Sequence, residues 1–141
     1  MNAYAQSADA YLVQRVMGAS PEQQAALLME AGQRFLGKAV KAMEQKDPLG
    51  TARSLDRVAE IIVEAGFRLN REDGGELVEN LLKVYDWWTR EIIEASATKN
   101  AARLKAISHH MGEIRQAWEQ FHEKQTKESR ISEFKLADRV V

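Results

Sequence analysis

Apolar residues recur along this chain with the 3.6-residue period of an amphipathic α-helix, in four successive segments. The first begins at residues 20–23 (Ser-Pro-Glu-Gln), where an N-cap serine, a proline at the first helical position and a glutamine at the capping-box position coincide. It ends near Gln45, before the helix-breaking residues 46–48 (Lys-Asp-Pro). Its expected core face contains Leu28, Ala31, Phe35, Ala39, Ala42 and Met43.

Three further segments continue this helical pattern. The second runs from about Leu49 to Leu69 and is followed by a polar turn ending in two glycines. The third covers residues 76–96, and the fourth follows Asn100, a candidate N-cap. The second helix is expected to bury Leu55, Val58, Ile62, Ala65 and Leu69. The third is expected to bury Leu77, Leu81, Val84, Tyr85, Trp88, Ile92 and Ala95. The fourth is expected to bury Leu104, Ile107, Met111, Ile114, Trp118 and Phe121.

Four amphipathic helices joined by short connections predict an all-α fold, an antiparallel up-down-up-down four-helix bundle. We place the bundle at residues 20–124. Residues 1–19 are expected to form a short N-terminal cap segment. Residues 125–141 are mostly polar and are expected to form a mobile C-terminal tail.

Composition narrows the classes of function. The chain has 141 residues, which fits one domain, and its 20 Lys and Arg against 21 Asp and Glu give a net charge of −1. Without a basic excess, nucleic acid is not an expected partner. The absence of cysteine excludes thiolate chemistry and suits a reducing cytosol. Neither a secretory signal nor a run of 18 apolar residues occurs, so we expect a cytosolic protein with no membrane insertion.

Candidate catalytic chemistry is sparse. A di-iron bundle needs two Glu-x-x-His pairs, and this chain has one, Glu119 with His122. His109 and His110 are adjacent, so their side chains point in different directions on a helix. No phosphate-binding glycine loop or nucleophile elbow is present. We therefore expect no enzyme, no catalytic residue, no metal ligand and no cofactor.

Surplus apolar residues are the unusual feature of the middle helices. In the third helix Leu82 and Ile93 lie about 100° or more from the centre of the core face, and Trp87 lies off its other edge. In the second helix Val63 and Phe67 are displaced in the same way. The helical period does not say whether the two sets adjoin. They are either ordinary exposed apolar residues, surface covered by the chain termini, or a groove for a partner helix.

In the groove interpretation, each Leu- or Phe-sized anchor that a partner buries contributes about 1.5–3 kcal/mol. An exposed apolar groove also favours aggregation, which a short apolar terminal segment would prevent. Tyr11, Leu12 and Val16 suit such a cap.

Residues spread along most of the chain carry a resemblance to a known family. At the N-terminal end they are Tyr11, Val16, Ala19, Ser20, Pro21, Phe35, Leu36 and Ala39. In the second helix they are Ile61, Ile62, Glu64, Leu69 and Asn70. In the third they are Gly74, Gly75, Glu76, Leu77, Asn80, Leu81, Tyr85, Asp86, Arg90, Glu94 and Ala95, and in the fourth Arg115 and Trp118. Over about residues 11–121 the sequence resembles the flagellar secretion chaperones called FliS. It departs from their pattern at several positions, including Ala65 and Gly66.

The resemblance implies a helical bundle that is not an enzyme. It implies a cytosolic chaperone that holds the disordered C-terminal segment of flagellin in a 1:1 complex and prevents premature polymerisation. It further implies delivery to the flagellar type III export apparatus, with other flagellar regulators as further partners. On this basis the groove residues are Val63, Phe67, Leu82, Tyr85, Trp87 and Ile93. Tyr11 marks an N-terminal segment that covers part of the groove until flagellin displaces it.

Two alternatives belong to other classes of function. A structural or regulatory four-helix bundle could homodimerise, weakly or tightly, through the same apolar surface. That protein would self-associate and ignore flagellin. A metal-dependent bundle enzyme is the third candidate, and it requires stoichiometric iron or zinc.

Overall fold

A computed structural model describes residues 18–72 and 74–140, with side chains described as far as residue 128. It contains the helices α1 (Pro21–Glu44), α2 (Pro48–Phe67), α3 (Gly75–Ala97) and α4 (Ala101–Val140), and no strand within the described residues. The all-α prediction is therefore confirmed. Helix α4 continues past residue 124, where the sequence predicts the bundle to end. The predicted cap residues Tyr11, Leu12 and Val16 lie outside the described residues, and the division of the chain stays a prediction.

Local hydrogen bonds explain where the first two helices begin. The Ser20 hydroxyl accepts from the Gln23 N–H at 3.2 Å, and the Ser20 N–H donates to the Gln23 side-chain oxygen at 3.0 Å. This is the capping box that the sequence predicts. At α2 the Asp47 carboxylate accepts from the Gly50 N–H at 2.9 Å, with Pro48 at the first helical position.

Helices α1 and α3 end in the same way. Lys46 and Lys99 adopt the left-handed conformation, with φ of 57° and 51°. The Asp47 N–H donates to the Ala42 carbonyl at 2.9 Å, and the Asn100 N–H donates to the Ala95 carbonyl at 2.8 Å. These are Schellman motifs, and each reverses the chain within about three residues. Consecutive helices are therefore antiparallel neighbours, as an up-down-up-down bundle requires.

Helix α1 packs closely against both α2 and α4. Small residues make this approach geometrically feasible. A Cβ added to Gly32 would lie 2.8 Å from the Met111 sulfur, and one added to Gly112 would lie 2.7 Å from the Gln33 amide nitrogen. Gly32 therefore allows α1 to approach the buried Met111 of α4, whereas the atom near Gly112 is the end of a flexible glutamine side chain.

Helix α3 is packed less closely against α2 and α4. Its inward face carries the large rings of Tyr85 and Trp88, which are 4% and 0% exposed. Because such side chains hold the helix axes apart, the surface between α2 and α3 is left shallowly open. The wider spacing between α3 and α2 thus creates the surface on which the candidate site lies.

The core differs in detail from the expected faces. In α1 the expected Ala31, Ala39 and Ala42 are buried, but so are Met29 and Leu36, which the expected face omitted. In α3 Leu77 is 60% exposed while Val78 is buried, contrary to prediction. Val78 is three residues before Leu81 and seven before Tyr85, which places it on the inward face. The sequence pattern identified the helices and most of their buried positions correctly, but it misassigned residues at the edges of the buried faces.

The prediction that Phe121 belongs to the core face of α4 is also wrong. Its side chain is 44% exposed, although its ring meets Trp118 edge-on at 6.3 Å. One residue further, His122 lies beside Ser20 at the start of α1. At this point α4 has passed the N-terminus of α1, so little packing surface remains for Phe121.

Candidate functional site

Helices α2 and α3 form a shallow apolar recess of about 200 Å³, here called the α2–α3 recess. Four of the six predicted groove residues line it, Val63 and Phe67 from α2 and Leu82 and Tyr85 from α3. Its other lining residues are Ile62, Gly66, Arg71, Asp86 and Thr89. The two sets of displaced apolar residues therefore do adjoin in space.

The α2–α3 recess has an exposed rim and a buried floor. On the rim Phe67 is 79% exposed and Val63 is 58% exposed, while Leu82 is half-buried. On the floor Ile62 and Tyr85 belong to the hydrophobic core. A partner side chain entering here would meet apolar surface on its sides and below it.

Tyr85 connects the floor of the recess to the interior. Its ring stacks on Trp88 with centroids 5.3 Å apart and planes at 28°. Its hydroxyl is buried beside the Trp118 indole of α4, without a well-aligned hydrogen bond. Burial raises the pKa of this hydroxyl, and the weak contact with Trp118 opposes the rise.

The raised pKa of Tyr85 predicts a loss of stability in alkali. An unfolded tyrosine ionises near pH 10, so above about pH 10 the unfolded chain loses a proton that the folded chain retains. The contribution of Tyr85 is thus complete below about pH 10 and is lost as pH rises through the folded pKa. We expect Tyr85→Phe to flatten this decline, measured by urea unfolding between about pH 8 and about pH 11. Parallel profiles for the two proteins would contradict the prediction.

The remaining two predicted groove residues lie elsewhere. Trp87 is 48% exposed and its ring meets His110 of α4 edge-on at 6.1 Å, so it lies on the α4 side of α3. Ile93 is 64% exposed and does not line the recess. It follows Leu82 by eleven residues, or about three helical turns, so it continues the same row of α3 beyond the recess. A role in binding stays a prediction for both.

Five lining residues were not predicted as groove residues, and of these Ile62 was expected in the core; the others are Gly66, Arg71, Asp86 and Thr89. Gly66 lacks a side chain, and Arg71 lies in the polar turn after α2, so neither contributes to an apolar pattern. A signal for Gly66 did exist, because glycine within a predicted helix is unfavourable and invites an explanation.

The histidines make structural contacts rather than a metal site. His110 accepts the indole N–H of Trp88 at 2.8 Å, and His122 lies 3.0 Å from the Ser20 hydroxyl. His109 is on the surface beside Glu113. Within the described part of the chain, no group of three or more His, Cys, Asp or Glu residues could hold a metal ion. The described helices also include none that is long and apolar enough to cross a membrane.

Two larger recesses lie at the ends of the bundle. One of about 400 Å³ lies near Glu30 and His122, and one of about 500 Å³ lies near Lys46 and Lys99. Neither is lined by any of the exposed large apolar side chains. The α2–α3 recess is therefore the better candidate for binding an apolar partner segment, despite its smaller volume.

Comparison with known proteins gives one consistent family. The family model described as flagellar protein FliS matches residues 3–125. The flagellar secretion chaperone FliS of Salmonella typhimurium is 31% identical over 112 residues, covering 77% of this chain and 82% of that protein. The FliS proteins of Vibrio cholerae and Bacillus subtilis are each 27% identical, covering 75% and 79% of this chain and 78% and 82% of theirs.

The family model covers the first three helices completely and α4 as far as residue 125. These matches confirm the resemblance that the sequence motifs indicated, and they exclude an enzyme in favour of a chaperone. The chain belongs to the FliS family of flagellar secretion chaperones.

Proposed function

We propose that this protein is a cytosolic export chaperone that binds the C-terminal segment of flagellin in a 1:1 complex. Membership of the FliS family supports a flagellar client. The observation that carries the choice of binding surface is the α2–α3 recess, where Phe67 is 79% exposed above a floor of core residues. A large exposed ring at the edge of an apolar depression is typical of a surface that a partner covers.

The mechanism is coupled folding and binding. A disordered flagellin segment lays the apolar face of a helix along the α2–α3 recess and loses conformational entropy as it docks. Its affinity comes from several apolar anchors, each contributing about 1.5–3 kcal/mol. While docked, the segment cannot join another flagellin, which prevents premature polymerisation.

Release requires no chemistry in the chaperone. The complex is delivered to the flagellar export apparatus, where a competing interaction removes the client. In the free chaperone, Tyr11, Leu12 and Val16 cover part of the groove until flagellin displaces them. Trp87 and Ile93 extend the contact on either side of the recess.

Isothermal titration calorimetry against the C-terminal segment of the same organism's flagellin tests this proposal. We expect saturable 1:1 binding with a negative heat-capacity change, because apolar surface becomes buried. Flagellin truncated before that segment is the matched control and should give no binding heat. Absence of both heat and co-elution with the intact segment would overturn the flagellin assignment.

Self-association is the competing explanation for the exposed apolar residues of α2 and α3. Val63, Phe67 and Ile93 on one molecule could pack against the same residues of a second copy. Sedimentation of the free protein distinguishes the two. A tight dimer that flagellin does not dissociate would favour the homodimer, whereas a monomer or a dimer that flagellin converts to a 1:1 complex favours the chaperone.

A further inference from the structure

Gly66 is a buried helical glycine on the wall of the α2–α3 recess, and its surroundings do not demand glycine. A Cβ added to it would lie 3.6 Å from Leu82 Cδ2 and 4.0 Å from Tyr85 Cδ2, both ordinary contact distances. Its φ is not in the left-handed region, so the backbone accepts any L-residue. Alanine would fit and would favour the helix more than glycine does.

The other buried helical glycine has a clear structural cause. At Gly32 an added Cβ would lie 2.8 Å from the Met111 sulfur, so close packing against α4 explains the residue. At Gly66 the space is instead part of the open recess. Neither close packing nor backbone conformation requires glycine at this position. What glycine does provide is space in the recess.

The space has the size and polarity for one bulky apolar side chain. Its volume of about 200 Å³ exceeds the roughly 150 Å³ of a dry protein cavity that binds benzene. Ile62 and Tyr85 form its floor and Phe67 and Leu82 its sides, so a side chain of leucine, methionine or phenylalanine size would contact carbon below it and on two sides.

Charge at the mouth of the recess indicates what accompanies that side chain. Of the two charged residues that line it, Asp86 is ion-paired with Arg90 on the next turn of α3. Arg71 makes no ion pair with any residue that the structure describes. Arg71 therefore supplies a positive charge at the recess, which complements a carboxylate on the partner.

We propose that Gly66 determines client specificity. It keeps the recess open for one bulky apolar side chain of the flagellin segment, and Arg71 meets a carboxylate within about one helical turn of that side chain. This inference rests on the proposed function and adds the side-chain chemistry that the site selects.

A pair of glycine substitutions separates recess occupancy from stability. Gly37 lies on an exposed part of α1 with no atom near an added Cβ, which makes it the matched control. We expect Gly66→Ala and Gly37→Ala both to unfold at the same or a higher temperature than the parent. By calorimetry Gly37→Ala should bind the flagellin C-terminal segment normally, while Gly66→Ala binds it about tenfold more weakly because a methyl crowds the anchor.

A double-mutant cycle then identifies the anchor. Each large apolar residue of the flagellin segment is replaced by alanine and titrated against the parent and against Gly66→Ala. At one flagellin position, the alanine substitution should weaken binding to the parent chaperone strongly. The same substitution should weaken binding to Gly66→Ala several-fold less. Arg71→Gln should weaken binding by about twofold to fivefold at low salt and less at high salt, as for a solvent-exposed ion pair.

The outcomes distinguish this inference from the proposed function. If the parent binds flagellin and Gly66→Ala binds it equally well, the role of Gly66 is wrong and the chaperone assignment stands. Additive behaviour at every flagellin position in the cycle would likewise overturn it. If the parent does not bind flagellin at all, both proposals fail together.

Discussion

Replacing Val63 and Phe67 by glutamine should leave the bundle folded and weaken binding of the flagellin C-terminal segment by at least about a hundredfold. The two side chains are 58% and 79% exposed, so the substitutions remove little apolar contact from the folded monomer. Glutamine is a good helix former and adds no charge near the end of α2. Loss of two apolar anchors costs binding about 3 kcal/mol or more, which corresponds to that change in affinity.

The matched control is a second pair of exposed apolar residues, both of them leucines. Leu49 and Leu77 are each 60% exposed and neither lines the α2–α3 recess. Leu49→Gln with Leu77→Gln should therefore alter surface hydrophobicity similarly while leaving the affinity within about twofold. Calorimetry gives the affinities, and circular dichroism confirms that both double variants remain helical. Equal losses in the two double variants would show that binding is not localised to the recess.

The largest effect on stability is expected at Trp88. Its side chain is fully buried, stacks on Tyr85 and donates its indole N–H to His110 at 2.8 Å. Trp88→Ala should lower the free energy of unfolding by about 3–5 kcal/mol, because it removes a large ring from a closely packed core. Urea denaturation followed by circular dichroism measures the change.

The hydrogen bond between Trp88 and His110 can be examined separately. His110→Ala leaves the buried indole N–H unpaired and should cost about 1–3 kcal/mol. In a Trp88→Phe background, which lacks that N–H, the same histidine substitution should cost clearly less. His109→Ala is the control at an exposed neighbouring position and should change stability by less than about 0.5 kcal/mol. Equal costs of His110→Ala in both backgrounds would mean that the bond contributes no stability.

Much of the fold could be predicted because its determinants are local. The capping box at Ser20 and the Asp47-Pro48 start of α2 depend on residues a few positions apart, and the sequence shows them directly. The edges of the buried faces were harder to predict. Leu77 and Val78 are both apolar and adjacent, so only packing against the other helices decides which one is buried.

The apolar residues that line the α2–α3 recess could be predicted one by one, but their arrangement could not. Helical periodicity identified Val63, Phe67 and Leu82 as displaced from the core faces. It could not show that α2 and α3 bring them to one recess, because a period describes each helix alone. Gly66 was missed as a lining residue for a related reason, since the space beside it is bounded by side chains of both helices.

The order in which helices pack has a consequence for the newly made chain. Helix α1 finds one close neighbour, α2, directly after it in sequence, but its other close neighbour, α4, is synthesised last. The glycine contact at Gly32 therefore waits for Met111, about 80 residues later, to leave the ribosome. Until then the α1–α2 hairpin carries an uncovered apolar face. This chaperone thus passes through an aggregation-prone stage of its own during translation.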